Sequence, residues 1–190
     1  MIICVTGPAG SGKSTLAKRL EELQPGVFAR VPVDYFFVPR PPAVTLGAYL
    51  AEPLRYDWAL LDAALQATGP HRSTPDCDFG DFSWRSESGG LPIATAPIAV
   101  LDGMRSHPRT ELVIMLELDG REQRRRLMER DHRWGTHLAD RGNHLTATFE
   151  QGVRDLVRDP DLRLNAADPI EQNADRVIAL LNSYSPGRVR

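Results

Sequence analysis

The chain opens on an unbroken apolar run, Ile2 to Thr6, followed by a glycine-rich break and then by Leu16, Ala17, Leu20 and Leu23 at helical spacing. A short continuous run of this kind predicts a strand buried on both faces, as in a parallel sheet. The spacing after it predicts an amphipathic helix starting near Gly12 and stopped by Pro25-Gly26. Val27 to Val33 predicts a second strand, ending at Asp34, and Pro39 to Pro42 a loop. Asp57 caps a predicted helix carrying Trp58, Leu61, Ala64 and Leu65, which Gly69-Pro70 ends.

From Thr74 to Gly90 no period holds, and the acidic, aromatic, glycine-containing stretch predicts a long functional loop or a small hairpin. Ile98 to Leu101 predicts a buried strand ending at Asp102, and Leu112 to Leu118 another. Asp119 with Glu122 gives a capping-box-like start to an arginine-rich helix. Leu145, Phe149, Val153 and Leu156 fit a further helix, stopped by Asp159-Pro160. The tail allows two readings. Either Leu162 to Asn165 is the last strand and a helix follows, with Asp168 as cap, Pro169 first and Glu171 closing the cap, or Arg176 to Leu181 is itself a strand. The cap, and the shared face of Ile170, Ala174, Val177, Ile178 and Leu181, favour the helix. Strands alternating with helices predict one α/β domain over residues 1–190, a central parallel sheet with helices on both faces.

Composition narrows the function classes. A net charge of −2 provides no basic field for nucleic acid or an anionic membrane. No apolar run approaches the roughly 18 residues that span a bilayer. The N-terminus runs into the first strand without a basic leader, and Cys4 and Cys77 have no metal or redox spacing, so a reducing cytoplasmic setting is expected. Lys13 and Lys18 are the only lysines among 23 basic residues. Of the five histidines, His132, His137 and His144 fall in the arginine-rich region and are expected at the surface rather than as ligands.

Gly7-Pro8-Ala9-Gly10-Ser11-Gly12-Lys13-Ser14 satisfies G-x-x-x-x-G-K-[ST] between a strand and a helix, the context the motif requires. Glycines let backbone amides wrap a phosphate, and the helix N-terminus adds positive potential. The expected nucleotide site is therefore Gly7 to Thr15, with Lys13 on the β- and γ-phosphates and the Ser14 hydroxyl on Mg²⁺. Asn165-Ala166-Ala167-Asp168 is the nearest approach to a guanine-reading segment and lacks its lysine, which favours ATP. Asp102, closing its strand, is the expected second group for Mg²⁺. Asp34, where strand ends face a ligand crevice, is the expected base for an acceptor hydroxyl. Arg121, Arg124, Arg125, Arg126, Arg130, Arg133 and Arg141 crowd one segment, and Arg126, Arg130 and Arg133 are the candidates for neutralising a transferring phosphoryl group from a lid.

In order, these pieces resemble the uridine kinase-like branch of the P-loop small-molecule kinases over most of residues 1 to 133. Val33-Asp34-Tyr35-Phe36 is similar to that family's Asp-x-Phe-Tyr segment, which implies the base role for Asp34. Pro53 to Leu61 is similar to a stretch ending in Phe-Asp-Trp, matched by Tyr56-Asp57-Trp58. Pro75 to Arg85 is similar to Pro-x-Tyr-Asp-Phe-x-x-His followed by arginine, matched at Asp78, Phe79 and Arg85; Arg126 to Asp131 looks like the lid helix. The family's ribose-binding aspartate aligns with Ala51, its base-contacting tyrosine with Cys77 and its histidine with Phe82. The strand-helix ending looks more like that of gluconate and shikimate kinases. The resemblance thus implies a three-layer P-loop NTPase fold, a substrate region over 34–90, a lid at about 121–143, MgATP and a small-molecule acceptor, but not uridine. A nucleotide kinase would need pocket arginines, for which Arg40, Arg55 and Arg85 are available, and a nucleotide-binding regulator would bind ATP without turnover. Oligomeric state stays open.

Overall fold

The computed structural model of the chain describes residues 1–134 and 141–184. Five strands form one parallel sheet: β1 (Ile2–Thr6), β2 (Phe28–Pro32), β5 (Ile98–Asp102), β6 (Leu112–Glu117) and β7 (Leu162–Asn165), in the order β2-β5-β1-β6-β7. A separate antiparallel pair, β3 (Ser73–Asp78) with β4 (Ser83–Pro92), makes the hairpin anticipated between Thr74 and Gly90. The helices are α1 (Lys13–Leu23), α2 (Leu46–Leu50), α3 (Trp58–Gln66), α4 (Gly120–Trp134), α5 (Gly142–Arg154) and α6 (Ile170–Ser183).

Alternation along the strands divides the core into two layers. Ile3, Val5, Val100, Ile114, Leu116 and Leu164 face α1 and α6, packing on Leu16, Leu20, Ala174 and Val177. Val31, Ala99 and Leu101 face the other way, toward Phe36, Phe37, Leu61 of α3, and Leu145 and Phe149 of α5. Apolar residues on both faces of the sheet are the reason its strands read as continuous apolar runs. The fold is a three-layer α/β arrangement around a parallel sheet, and since all five strands run the same way, their C-terminal ends share one edge.

Three local expectations change. β2 stops at Pro32, and Val33–Phe36 curls into a short 3₁₀ turn that buries Val33 and Phe36, so Asp34 sits on a turn rather than at a strand end. The Asp168 carboxylate pairs with Arg176 at 3.0 Å, and α6 starts after Pro169 without a side-chain cap. Arg176 to Leu181 is helical, which removes the alternative strand. His144 is buried at 6% exposure, its ring edge-on to Phe82, and not at the surface; His132 is exposed, and His137 lies outside the described residues.

Candidate active site

Two glycines shape the loop joining β1 to α1. A Cβ at Gly7 would sit 2.6 Å from the Leu116 carbonyl oxygen, and Gly12 turns into α1 at φ 89°, where other residues are strained. The Ser11 amide donates to the Pro8 carbonyl at 3.1 Å, closing the loop on itself. Because α1 begins at Lys13, the amides of its first turn lack intrahelical acceptors and leave partial positive charge at the loop.

Lys13 is 7% exposed, and its Nζ donates to the Pro8 carbonyl at 2.9 Å. Burial pulls its pKa below the ordinary lysine range; the charges of Asp34 and Asp102 oppose that shift, and Arg130 adds to it. Residues from four separate segments therefore act on one ammonium. Asp102, 2% exposed, accepts from both arms of Arg30, Nε to Oδ1 at 3.3 Å and Nη2 to Oδ2 at 3.2 Å, with the Ser14 hydroxyl beside it. Burial raises its pKa, while Arg30 and the Ser14 hydrogen bond hold it down.

Asp34 is fixed by Tyr56, whose hydroxyl donates to Oδ1 at 2.9 Å. The Tyr56 ring stacks on Trp58 with centroids 5.3 Å apart, and burial followed by the Asp34 charge pushes the phenol well above its usual pKa. It is a neutral donor that leaves Oδ2 of the carboxylate for another partner. Of the other carboxylates that could serve as base, Asp57 accepts from the Leu60 amide, Asp78 accepts from the Gly80 amide, and Asp81 is exposed and pairs with Arg40 at 3.9 Å.

The arginines separate by place. Arg126 donates from Nη1 to the Gly10 carbonyl at 3.4 Å and from Nη2 to the Ala166 carbonyl at 3.1 Å, with Nε on Glu122. It thereby lines a cavity of about 190 Å³ together with Gly12, Thr15, Ala166, Asp168 and Asn173. Arg130 sits within electrostatic reach of Lys13, and Arg133 is exposed on the last turn of α4. Residues 135–140 of the expected lid lie outside the described residues. After it, Arg141 reaches the hairpin tip, donating to the Phe79 carbonyl at 3.1 Å with its guanidinium 5.4 Å from the Phe82 ring centre.

Ser14 and Asp102 supply two neighbouring hard oxygen donors beside the glycine-rich loop. Mg²⁺ takes one or two protein oxygens and completes its shell with phosphate and water, so these donors fit it. Among the described residues no group of three or more His, Cys, Asp or Glu could hold a metal by itself.

No family model and no curated protein matches the chain. A solved candidate fructose transport system kinase from Silicibacter sp. TM1040 shares the fold, with a TM-score of 0.53 and 17% identity over 86% of this chain and 89% of that one. Lower scores relate it to a gluconokinase from Sinorhizobium meliloti 1021 (0.43, 14% identity, 95% and 90% coverage) and a sugar kinase from Janibacter sp. HTCC2649 (0.44, 20%, 95% and 94%). The first likeness is one of fold, a three-layer α/β arrangement around a parallel sheet.

Sequence reasoning did not assign roles to Tyr56, to Arg30, or to Ala166 and Asn173 of the cavity. Arg30 did leave a signal, a lone charge inside the apolar stretch Val27 to Val33. Tyr56 and Asp34 are 22 residues apart, and nothing in their spacing pairs them.

Proposed function

We propose that the chain is a kinase moving the γ-phosphoryl group of MgATP to a hydroxyl of a small molecule. The observation that carries this reading is a buried Lys13 ammonium held at the glycine-rich loop, on which the charges of both Asp34 and Asp102 act. ATP would lay its phosphates along Gly7 to Thr15, with the base toward the cavity beside Arg126 and Ala166. Mg²⁺ held by Ser14 and Asp102 would draw charge from the β- and γ-phosphates.

Asp34 lies on the acceptor side, within the substrate region 34–90. Its free Oδ2 takes the proton of the acceptor hydroxyl while that oxygen bonds to the γ-phosphorus and the bond to the β-phosphate oxygen breaks, leaving ADP. Tyr56 keeps Oδ1 occupied, which fixes the direction in which Oδ2 points. Lys13 leaves Pro8 for the phosphate, and Arg130, from the expected lid, adds positive charge there; Arg133 is further along the same helix. Arg126 serves the nucleotide base and its loop rather than the moving group.

The uridine kinase-like branch accounts for this transfer apparatus but not for the acceptor. Ala51 is exposed, the Cys77 thiol donates to the Tyr35 carbonyl at 3.1 Å, and Phe82 is buried in an aromatic cluster, so none of the three offers a nucleoside the polar contact expected there. Of the three arginines a nucleotide acceptor would draw on, two are already engaged, Arg40 by Asp81 and Val44 and Arg85 by Asp76 and Asp78, which favours a neutral acceptor. An ATP-consumption screen over nucleosides, nucleotides, sugars and pantothenate-like alcohols tests the reading. Turnover with a neutral alcohol and not with uridine is expected; ATP binding without turnover on any of them would make the chain a nucleotide-binding regulator.

A further inference from the structure

Arg30 is the only charge in β2, a strand otherwise made of Phe28, Ala29, Val31 and Pro32. It lies on an edge strand, and its side chain is 27% exposed, yet its guanidinium ends on Asp102, the only buried carboxylate among the described residues. The two arms take both carboxylate oxygens, at 3.3 and 3.2 Å. That carboxylate is also the one the Ser14 hydroxyl reaches. A fork of this kind is a strong, directional contact. As a stabilising device alone it has little advantage, since a buried ion pair is often no better than an apolar pair of the same volume. Its target is therefore the informative feature: it occupies the protein's share of the fitted metal site.

We propose that Arg30 is a tethered counter-ion for Asp102. It holds both oxygens of the buried carboxylate in place before nucleotide arrives, and it competes with Mg²⁺ for that carboxylate. Bare metal must displace a two-point, charge-assisted clamp in return for only two protein oxygens. Metal arriving with a nucleotide brings phosphate ligands as well, and the phosphates give the released guanidinium a new anionic neighbour. The site thus takes up Mg²⁺ with the nucleotide and discriminates against Mg²⁺ alone. Arg30 is a positioning residue here, acting through Asp102, and its role rests on the MgATP reading above.

Removing the guanidinium has two consequences of opposite sign. Metal competes with nothing for Asp102 and binds more tightly. Nucleotide without metal meets an uncompensated carboxylate beside its phosphates and binds more weakly. The test follows a fluorescent ADP analogue with wild type, Arg30→Met and Arg30→Lys, once in EDTA and once through a Mg²⁺ titration, with thermal melting in parallel. In Arg30→Met the half-saturating Mg²⁺ concentration is expected to fall about tenfold or more, and affinity in EDTA to drop by a similar factor, the scale of one hydrogen bond to a charged group. Arg30→Lys, with the charge but without the fork, is expected between the two, and it carries the comparison if the methionine variant does not fold. Equal Mg²⁺ dependence in all three proteins, with only the melting temperature moved, overturns the role and leaves a structural ion pair. Failure of wild type to bind the analogue at any Mg²⁺ concentration overturns the nucleotide reading itself and the role with it.

Discussion

Replacing Asp34 by asparagine separates chemistry from architecture at this site. The side chains are nearly isosteric, and the asparagine carbonyl can still accept from Tyr56, so the 2.9 Å contact survives as a neutral hydrogen bond. A hydrogen bond to a charged group contributes about 1.5–3 kcal/mol and a neutral one about 0.5–1.5, so the expected stability cost is about 1 kcal/mol. The phosphate loop, Ser14 and Asp102 are untouched, and nucleotide affinity should stay within about threefold, a change of about 0.7 kcal/mol. Lost entirely is the proposed proton acceptor at Oδ2. General-base contributions of about 10²–10⁴ in rate correspond to about 2.7–5.4 kcal/mol of barrier, well above the stability term. ADP release measured with the acceptor found by the screen, alongside nucleotide affinity and melting on one preparation, distinguishes the outcomes. A kcat within about threefold of wild type refutes the base assignment, because it falls far below the general-base range. Asp57 and Asp78 would not rescue it, since each already holds a turn or helix start.

Lys13→Ala should lower kcat by about 10²–10³, the usual loss of one transition-state donor from a shielded site, and wild-type turnover would show that the loop is not the phosphate site. Tyr56→Phe should keep the fold but free Asp34 to rotate, reducing kcat by about tenfold with KM for ATP unchanged, as a misdirected base does not touch nucleotide binding; a change confined to KM would contradict the positioning role. Burial pushes the Cys4 and Cys77 thiols to about 12, so below pH 9 both should stay protonated and resist alkylation in the native state while reacting fully in denaturant. Rapid native labelling of either at pH 8 would contradict the packing around it.

Much of this protein was determined along the chain. The run Ile2 to Thr6, the glycines at 7 and 12, and Lys13 and Ser14 at fixed offsets define strand, phosphate loop and helix within the first 23 residues, because each requirement there is local. The same holds for the strand ending at Asp102 and for the cap Asp57, which needs only the amide of Leu60, three residues on. Elsewhere the sequence admitted alternatives that only packing resolved. Asp168 has the spacing of a helix cap, but Arg176 on the next turns of α6 takes its carboxylate, since an ion pair outcompetes a neutral amide as donor. His144 looks like a surface residue in a charged segment, and is buried because α5 lays it against Phe82 of the hairpin. Tyr56 with Asp34 and Arg30 with Asp102 lie 22 and 72 residues apart, with no periodic or turn rule linking them. Arg30 meets Asp102 because β2 and β5 are neighbours in the parallel sheet, and Tyr56 meets Asp34 because the segment before α3 bridges to Phe37, just after the turn that carries Asp34; burial leaves each polar group no partner but the one brought beside it. The chain specified the phosphate loop by itself; the sheet decided which side chains stand around it.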